Sequence, residues 1–232
     1  MINIQNIENK FDRYVSNYDP TNERIKLKID HIKRVAQNSK SIAENLGLNS
    51  EQINLAIAIG FFHDIGRFEQ VRIANTFSDK NSNINHGEMG VKVLFENNFI
   101  RDFIEDSKYD EIIKKYILNH NKPKIEYGLS QNELLFSQII RDADKLDIFY
   151  TISQKQYSME SIFWYPEFDS KEISSLILQE FNNKETINYS NIHNNGDVIA
   201  IFYAYIYDLY FPITKQLIYK NKYLEKFTQR VL

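Results

Sequence analysis

The chain has 232 residues, 43% of them hydrophobic, with a formal net charge of -3 and a sequence pI near 6.0. That is enough to bury one sizeable core, and it lacks the cationic excess that selects a nucleic acid polymer or an acidic membrane as partner. Cysteine is absent, which excludes a disulfide framework, a thiolate nucleophile and a Cys-ligated metal, so any metal site must use His and carboxylates.

The N-terminal MINIQNIENKFDRY carries no basic stretch followed by an apolar one, so a cytoplasmic location is expected. With only seven Gly and four Pro, and apolar residues spaced at 3.6, the chain is expected to be all-α. An N-terminal helical extension is expected over 1–21, a bundle core over 22–154, and a C-terminal helical segment packing on it over 155–232.

The first long helix is expected from Asn22 to Leu46, with Ile25, Ile32, Val35, Ala36, Ile42, Ala43 and Leu46 at helical spacing and Gly47 just past its end. The next opens at Asn49, where Gln52 completes a capping box, and runs through an apolar stretch to His63-Asp64 just before Gly66. Val71 to Asn85 is polar without sustained period and reads as a loop, in which Lys80, Asn81 and Asn83 are possible substrate contacts or ordinary loop residues. Helices are expected from His86 to Asn97, Lys108 to Leu118, Gln131 to Ser153 and Lys171 to Asn182. The apolar stretch Ile199 to Ile213 is too short to span a membrane, carries Asp208 and reads as a buried helix that Pro212 kinks.

Four of the five histidines, His31, His63, His86 and His120, fall on expected helices beside polar or carboxylate residues. A lone His is more often a surface or hydrogen-bonded residue than a ligand. The pair His63-Asp64 differs because it follows AIAIGFF. Two metal-capable groups at the end of a buried helix are costly unless a cation compensates them. His193, in SNIHNNGD, reads as a surface residue.

These residues resemble the HD-domain metal-dependent phosphohydrolases, whose hallmark is a distant His, an adjacent His-Asp and a later Asp on a separate helix. The matching segments are DHIKRVAQNSKSIAENLGL, GFFHDIGRFEQ and IIRDADKLDIFY, between about Asn22 and Phe149. The resemblance implies a single helical HD-domain bundle with an additional C-terminal segment, and His31, His63, Asp64 and Asp144 as ligands of one metal. Helix geometry leaves Asp142 and Asp144 open, and the family's Ala-Asp pattern favours Asp144. Asp142 and Asp147 are otherwise solvated carboxylates or supports of the site.

His86 and His120 correspond to the two further histidines of dinuclear members. The resemblance therefore implies a second divalent ion with Asp64 bridging, against an alternative in which both histidines contact a substrate phosphate or a water. Imidazole and carboxylate ligands suit Mn, Fe, Co, Ni, Zn or Mg without choosing among them. The implied activity is hydrolysis of a phosphomonoester or phosphodiester of a small phosphorylated metabolite such as a nucleotide, with His63 and Asp64 at the catalytic centre. Arg67 matches the family's basic residue in HD-x-G-Lys/Arg and reads as a catalytic phosphate contact, or else as a salt-bridge partner of Glu69 or Asp64. Lys145 reads as a second substrate contact or as solvent-facing. Phe61, Phe62, Phe95 and Phe149 read as core, and Tyr157, Trp164 or Tyr165 as pocket lining. A di-iron oxygenase and a non-catalytic nucleotide-binding module are the competing readings.

Overall fold

Asparagine starts many of the helices, because its side-chain oxygen can accept from main-chain N–H groups that have no partner inside the helix. Asn3 caps α1 (Ile4–Val15), Asn22 caps α2 (Glu23–Asn45) and Asn49 caps α3 (Ser50–Phe62). At Asn49 the capping box is complete: Asn49 Oδ1 accepts from Gln52 N at 3.0 Å, and Gln52 Oε1 accepts from Asn49 N at 3.0 Å. Gly47, at φ +70°, ends α2 in the left-handed conformation that glycine adopts without cost.

In this computed structural model, residues 2–96, 98–158, 172–184 and 187–231 are described. They contain helices and short 3-10 turns with no strand. The expected lining residues Trp164 and Tyr165 lie outside the described residues. None of the helices is long and apolar enough to cross a membrane.

Two compact units divide the chain, Met1–Asp144 and Lys145–Leu232. In the first, α2 packs along α3, which is apolar all round and buried from Leu55 to Phe62. Helix α1 packs on α3 and on the short α7 (Ile100–Phe103), burying Ile7 and Phe11 completely. After the turn at His63-Asp64 come α4 (Gly66–Ala74), the one-turn α5 (Asp79–Ser82), α6 (His86–Phe95), α8 (Asp110–His120) and α9 (Gln131–Ser153). Helix α6 packs between α4 and α8. Asn38 Nδ2 donates to Ala143 O at 3.2 Å, tying α2 to α9.

The loop expected over Val71 to Asn85 is partly helical. Helix α4 continues to Ala74 because Gln70 and Val71 are buried beneath it, and it stops at Asn75 in the left-handed region. Phe61, Phe62 and Phe149 are core, whereas Phe95 is half-buried with the Lys114 ammonium 4.7 Å from its ring centroid.

The second unit contains α10 (Ser175–Asn182), α11 (Asn195–Ala204), α12 (Pro212–Lys220) and α13 (Tyr223–Val231). Phe149, Ile152, Ile177, Ile201 and Phe227 form part of its core. Pro212 does not kink a continuous helix. Helix α11 ends at Ala204, a 3-10 turn and extended residues follow, and Pro212 takes the first turn of α12, where its missing N–H costs nothing.

Candidate metal centre

Asp64 sits in the turn between α3 and α4, and its two carboxylate oxygens face different groups. Oδ2 lies 3.6 Å from His31 Nε2 and 3.8 Å from His63 Nε2. Oδ1 lies 3.4 Å from His86 Nε2 and 3.5 Å from His120 Nε2. Asp144, from the middle of α9, places Oδ1 3.2 Å from His31 Nε2 and 3.8 Å from His63 Nε2. All six residues expected as ligands therefore meet around one carboxylate. Five of them form two clusters able to hold a metal ion, one of His31, His63 and Asp64 and the other of Asp64, His86 and His120, and Asp144 lies beside the first.

Local structure explains the convergence. His63 caps the end of α3 and His120 is the last residue of α8, so each ring can turn back on its own helix. His63 Nδ1 reaches Gly60 O at 2.8 Å, and His120 Nδ1 reaches Ile117 O at 2.5 Å. His86 is the first residue of α6 and has no preceding helical turn; its Nδ1 instead meets Asp79 Oδ2 at 2.6 Å. Gly66 lets α4 and α6 approach, because a Cβ there would collide with the main chain at His86 and Gly90. The Arg141 guanidinium donates to Asn119 O and His120 O at 3.2 and 3.3 Å, and also to Lys122 O and Pro123 O, fixing the end of α8 against α9.

The donor atoms fit a cation. Carbonyl and carboxylate oxygens can only accept here, so the Nδ1 atoms of His63, His86 and His120 carry the protons and their Nε2 atoms present lone pairs. The Nε2 atoms of His86 and His120 lie 3.1 Å apart. The buried Nε2 of His63 makes no hydrogen bond and points at two carboxylates. Lone pairs aimed at each other and at anions repel unless positive charge sits among them.

Electrostatics agree with neutral imidazole ligands. Burial depresses the His63 ring to about 3 and the His86 ring to about 4, the latter with help from Arg67. Burial works the other way on Asp64, but the charges of Lys28 and Arg67 outweigh it and hold the carboxyl well below its usual range. Asp144 is likewise held low, against burial, chiefly by its hydrogen bond with His31.

Three neighbours of the cluster were not foreseen from the sequence. Lys28, one turn before His31 on α2, places its ammonium 2.6 Å from Asp64 Oδ2. Phe77 gathers cations, with Lys28 Nζ at 5.3 Å and the Arg67 and Arg24 guanidinium carbons at 5.9 and 6.0 Å from its ring centroid. Asp79 is the third. Lys28 alone was legible in principle, since residues three apart on a helix share a face.

Arg67 does not pair with Glu69, which takes Arg72 at 2.5 Å and the Tyr18 hydroxyl at 2.6 Å. Its Nη1 donates to Gln70 Oε1 at 2.7 Å, Phe77 O at 2.5 Å and Asp79 Oδ1 at 2.8 Å, and its Nε lies 3.5 Å from Asp64 Oδ1. Lys145 does not face solvent: it is buried and paired with Asp208 at 2.8 Å. Asp142 and Asp147 are buried rather than solvated. Tyr157 is half-buried, while Lys80, Asn81, Asn83 and His193 are exposed.

The all-helical fold gathers four histidines and two aspartates, from four helices and the turn after α3, into a His-Asp cluster that could hold a metal. The HD domain family matches residues 29–148, just over half of the chain, and the chain belongs to that family. No match is found among curated proteins or among solved structures. HD domains are generally metal-dependent phosphohydrolases that bind divalent metals.

Proposed function

We propose that this chain is a phosphohydrolase that cleaves a phosphate ester of a small metabolite, a nucleotide among the candidates, with two divalent cations held across Asp64. His31, His63, Asp64 and Asp144 would hold one, and Asp64, His86 and His120 the other. The observation that carries the reading is the aim of the lone pairs: Nδ1 of three imidazoles is tied to an acceptor, leaving Nε2 to face the two oxygens of one carboxylate.

When bound, a pair of divalent cations lowers the pKa of water and neutralises charge on the phosphate oxygens. The chain's own residues do the rest. Burial keeps His63 and His86 neutral at pH 7, so both remain ligands. Asp64 divides its oxygens between the two halves and fixes their separation. Lys28 sets a cation beside Asp64 Oδ2, in reach of an anionic group brought to the cluster. No Ser or Cys nucleophile is required.

The test is to purify the full chain, measure its metals, and screen phosphorylated metabolites and cyclic and linear nucleotides with added Mn, Fe, Co, Ni, Zn and Mg. Asp64→Ala is expected to lose phosphate release and metal retention together, while exposed His193→Ala changes neither. Equal turnover by wild type and Asp64→Ala would overturn the proposal. A redox-active iron pair with oxygen consumption and no phosphate release would move the assignment to the oxygenase reading.

A further inference from the structure

Asp79 opens the one-turn α5, in the stretch between α4 and α6 that reads as an ordinary polar loop in the sequence. Its two oxygens face different ways. Oδ2 accepts from His86 Nδ1 at 2.6 Å, and Oδ1 accepts from Arg67 Nη1 and Gln70 Nε2, both at 2.8 Å. Gln70 is fully buried and is itself fixed, with Nε2 also reaching Ser82 Oγ at 3.0 Å and Ile84 O at 3.2 Å. The carboxylate is therefore held from α4 on one side while it holds a histidine of α6 on the other.

This arrangement sets His86 apart from His63 and His120. The rings of His63 and His120 are oriented by carbonyls three residues back in their own helices, so their aim follows from helix formation alone. As the first residue of its helix, His86 has no such carbonyl and depends on a side chain from elsewhere. A charged acceptor also increases the electron density at Nε2 more than a carbonyl does, which strengthens the imidazole as a ligand.

We propose that Asp79 is the positioning residue for the His86–His120 half of the centre, and that Arg67 and Gln70 serve that half through Asp79. The proposal rests on the reading of Asp64, His86 and His120 as a metal site. It implies an asymmetric centre, in which the half containing His31, His63 and Asp144 forms with its helices and the other half forms only when residues 75–85 are in place.

Asp79→Asn keeps the shape and one acceptor oxygen but removes the charge; Asp79→Ala removes both. Imidazole 15N–1H spectra of the full chain read the contact directly, with the His86 Nδ1 proton assigned by its loss in His86→Gln. Metal content after equilibrium dialysis reads its consequence. In Asp79→Asn the His86 resonance should move while those of His63 and His120 stay, and affinity for one ion should fall by about 10- to 100-fold. Asp79→Ala should hold one ion where wild type holds two, with an unchanged far-UV circular dichroism spectrum. An unmoved His86 resonance in Asp79→Ala, or two ions bound with wild-type affinity, would overturn the proposal, as would loss of both ions together from a folded variant. Wild type that binds no ion would instead defeat the functional reading, and the His86 resonance would still report whether Asp79 positions the ring.

Discussion

Arg67, expected to contact a phosphate or to pair with Glu69 or Asp64, lies 3.5 Å from Asp64 and takes further partners that its sequence context does not show. Its Nη1 serves three acceptors and its side chain is 15% exposed, so removing it takes the donor from the Phe77 carbonyl and leaves Asp79 Oδ1 held by Gln70 alone. Arg67→Ala is therefore expected to lower stability by about 1 to 3 kcal/mol and to weaken one metal site along with it. Thermal melts and dialysis check both effects. Arg67→Lys, which keeps the charge but loses the planar fork, should recover only part of either. If instead kcat/KM falls by about 2 to 4 kcal/mol with the melting temperature unmoved, the guanidinium acts directly on substrate phosphate. The four clustered histidines and Asp64 stood out because histidine is scarce here, five in the chain, and because His63-Asp64 follows a run too apolar to be exposed, whereas only the family's Ala-Asp pattern favoured Asp144 over Asp142. Asp79 and Arg141 were not, and Lys28 was legible only through its place one turn before His31. A lysine, aspartate or arginine among many others carries no mark of whether it points inward, and their roles depend on contacts between residues distant in sequence.

At the scale of elements, long helices with strong caps were read nearly to the residue, and short ones were not. Helix α9 runs from Gln131 to Ser153 as its pattern predicts, and α2 ends where Gly47 turns left-handed. Helix α4 outran its reading because nine residues give too few turns for a period to emerge, and its buried Gln70 counts as polar in any pattern. Pro212 was ambiguous in principle, since the same residue breaks a helix interior and favours a helix start. Asparagine abundance, readable as compositional bias, has local uses: Asn3, Asn22, Asn49, Asn85 and Asn194 cap helices, and Asn75, Asn83 and Asn98 take positive φ. Two glycines separate conformation from contact. Gly47 has open space around it, so Gly47→Ala is expected to cost about 1 kcal/mol from its positive φ and to leave metal uptake unchanged. At Gly66 the obstacle is main chain at His86 and Gly90, which cannot rotate away. Gly66→Ala should cost about 1 to 3 kcal/mol and displace His86 from the centre. Equal melting temperatures and equal metal content in the two variants would contradict that division.

For the whole molecule, net charge near zero leaves little long-range repulsion, so acid sensitivity should come mainly from buried groups. His63 and His86 are depressed to about 3 and about 4 from an ordinary value of 6.5. Above pH 6.5 both are neutral whether the chain is folded or unfolded, and they contribute nothing to the pH dependence. As pH falls below 6.5 the unfolded chain takes up these protons and the folded chain refuses them, so stability declines by about 1.4 kcal/mol per pH unit for each ring. The decline from His86 ends near pH 4 and that from His63 near pH 3. Asp64, Asp79 and Asp144 act at lower pH: their folded values are depressed, so the stability they confer is present above their ordinary range near 3.8 and is lost beneath it. Urea unfolding of chelator-treated protein from pH 7.5 to 4.5 should therefore show a steady loss through the histidine window, above the range in which Asp64, Asp79 and Asp144 act. His86→Gln should remove about half of that slope, because one of the two depressed rings is gone. A flat stability profile between pH 6.5 and 4.5 would show that these rings are open to water, and with that the buried set of neutral donors on which the metal centre depends would fail.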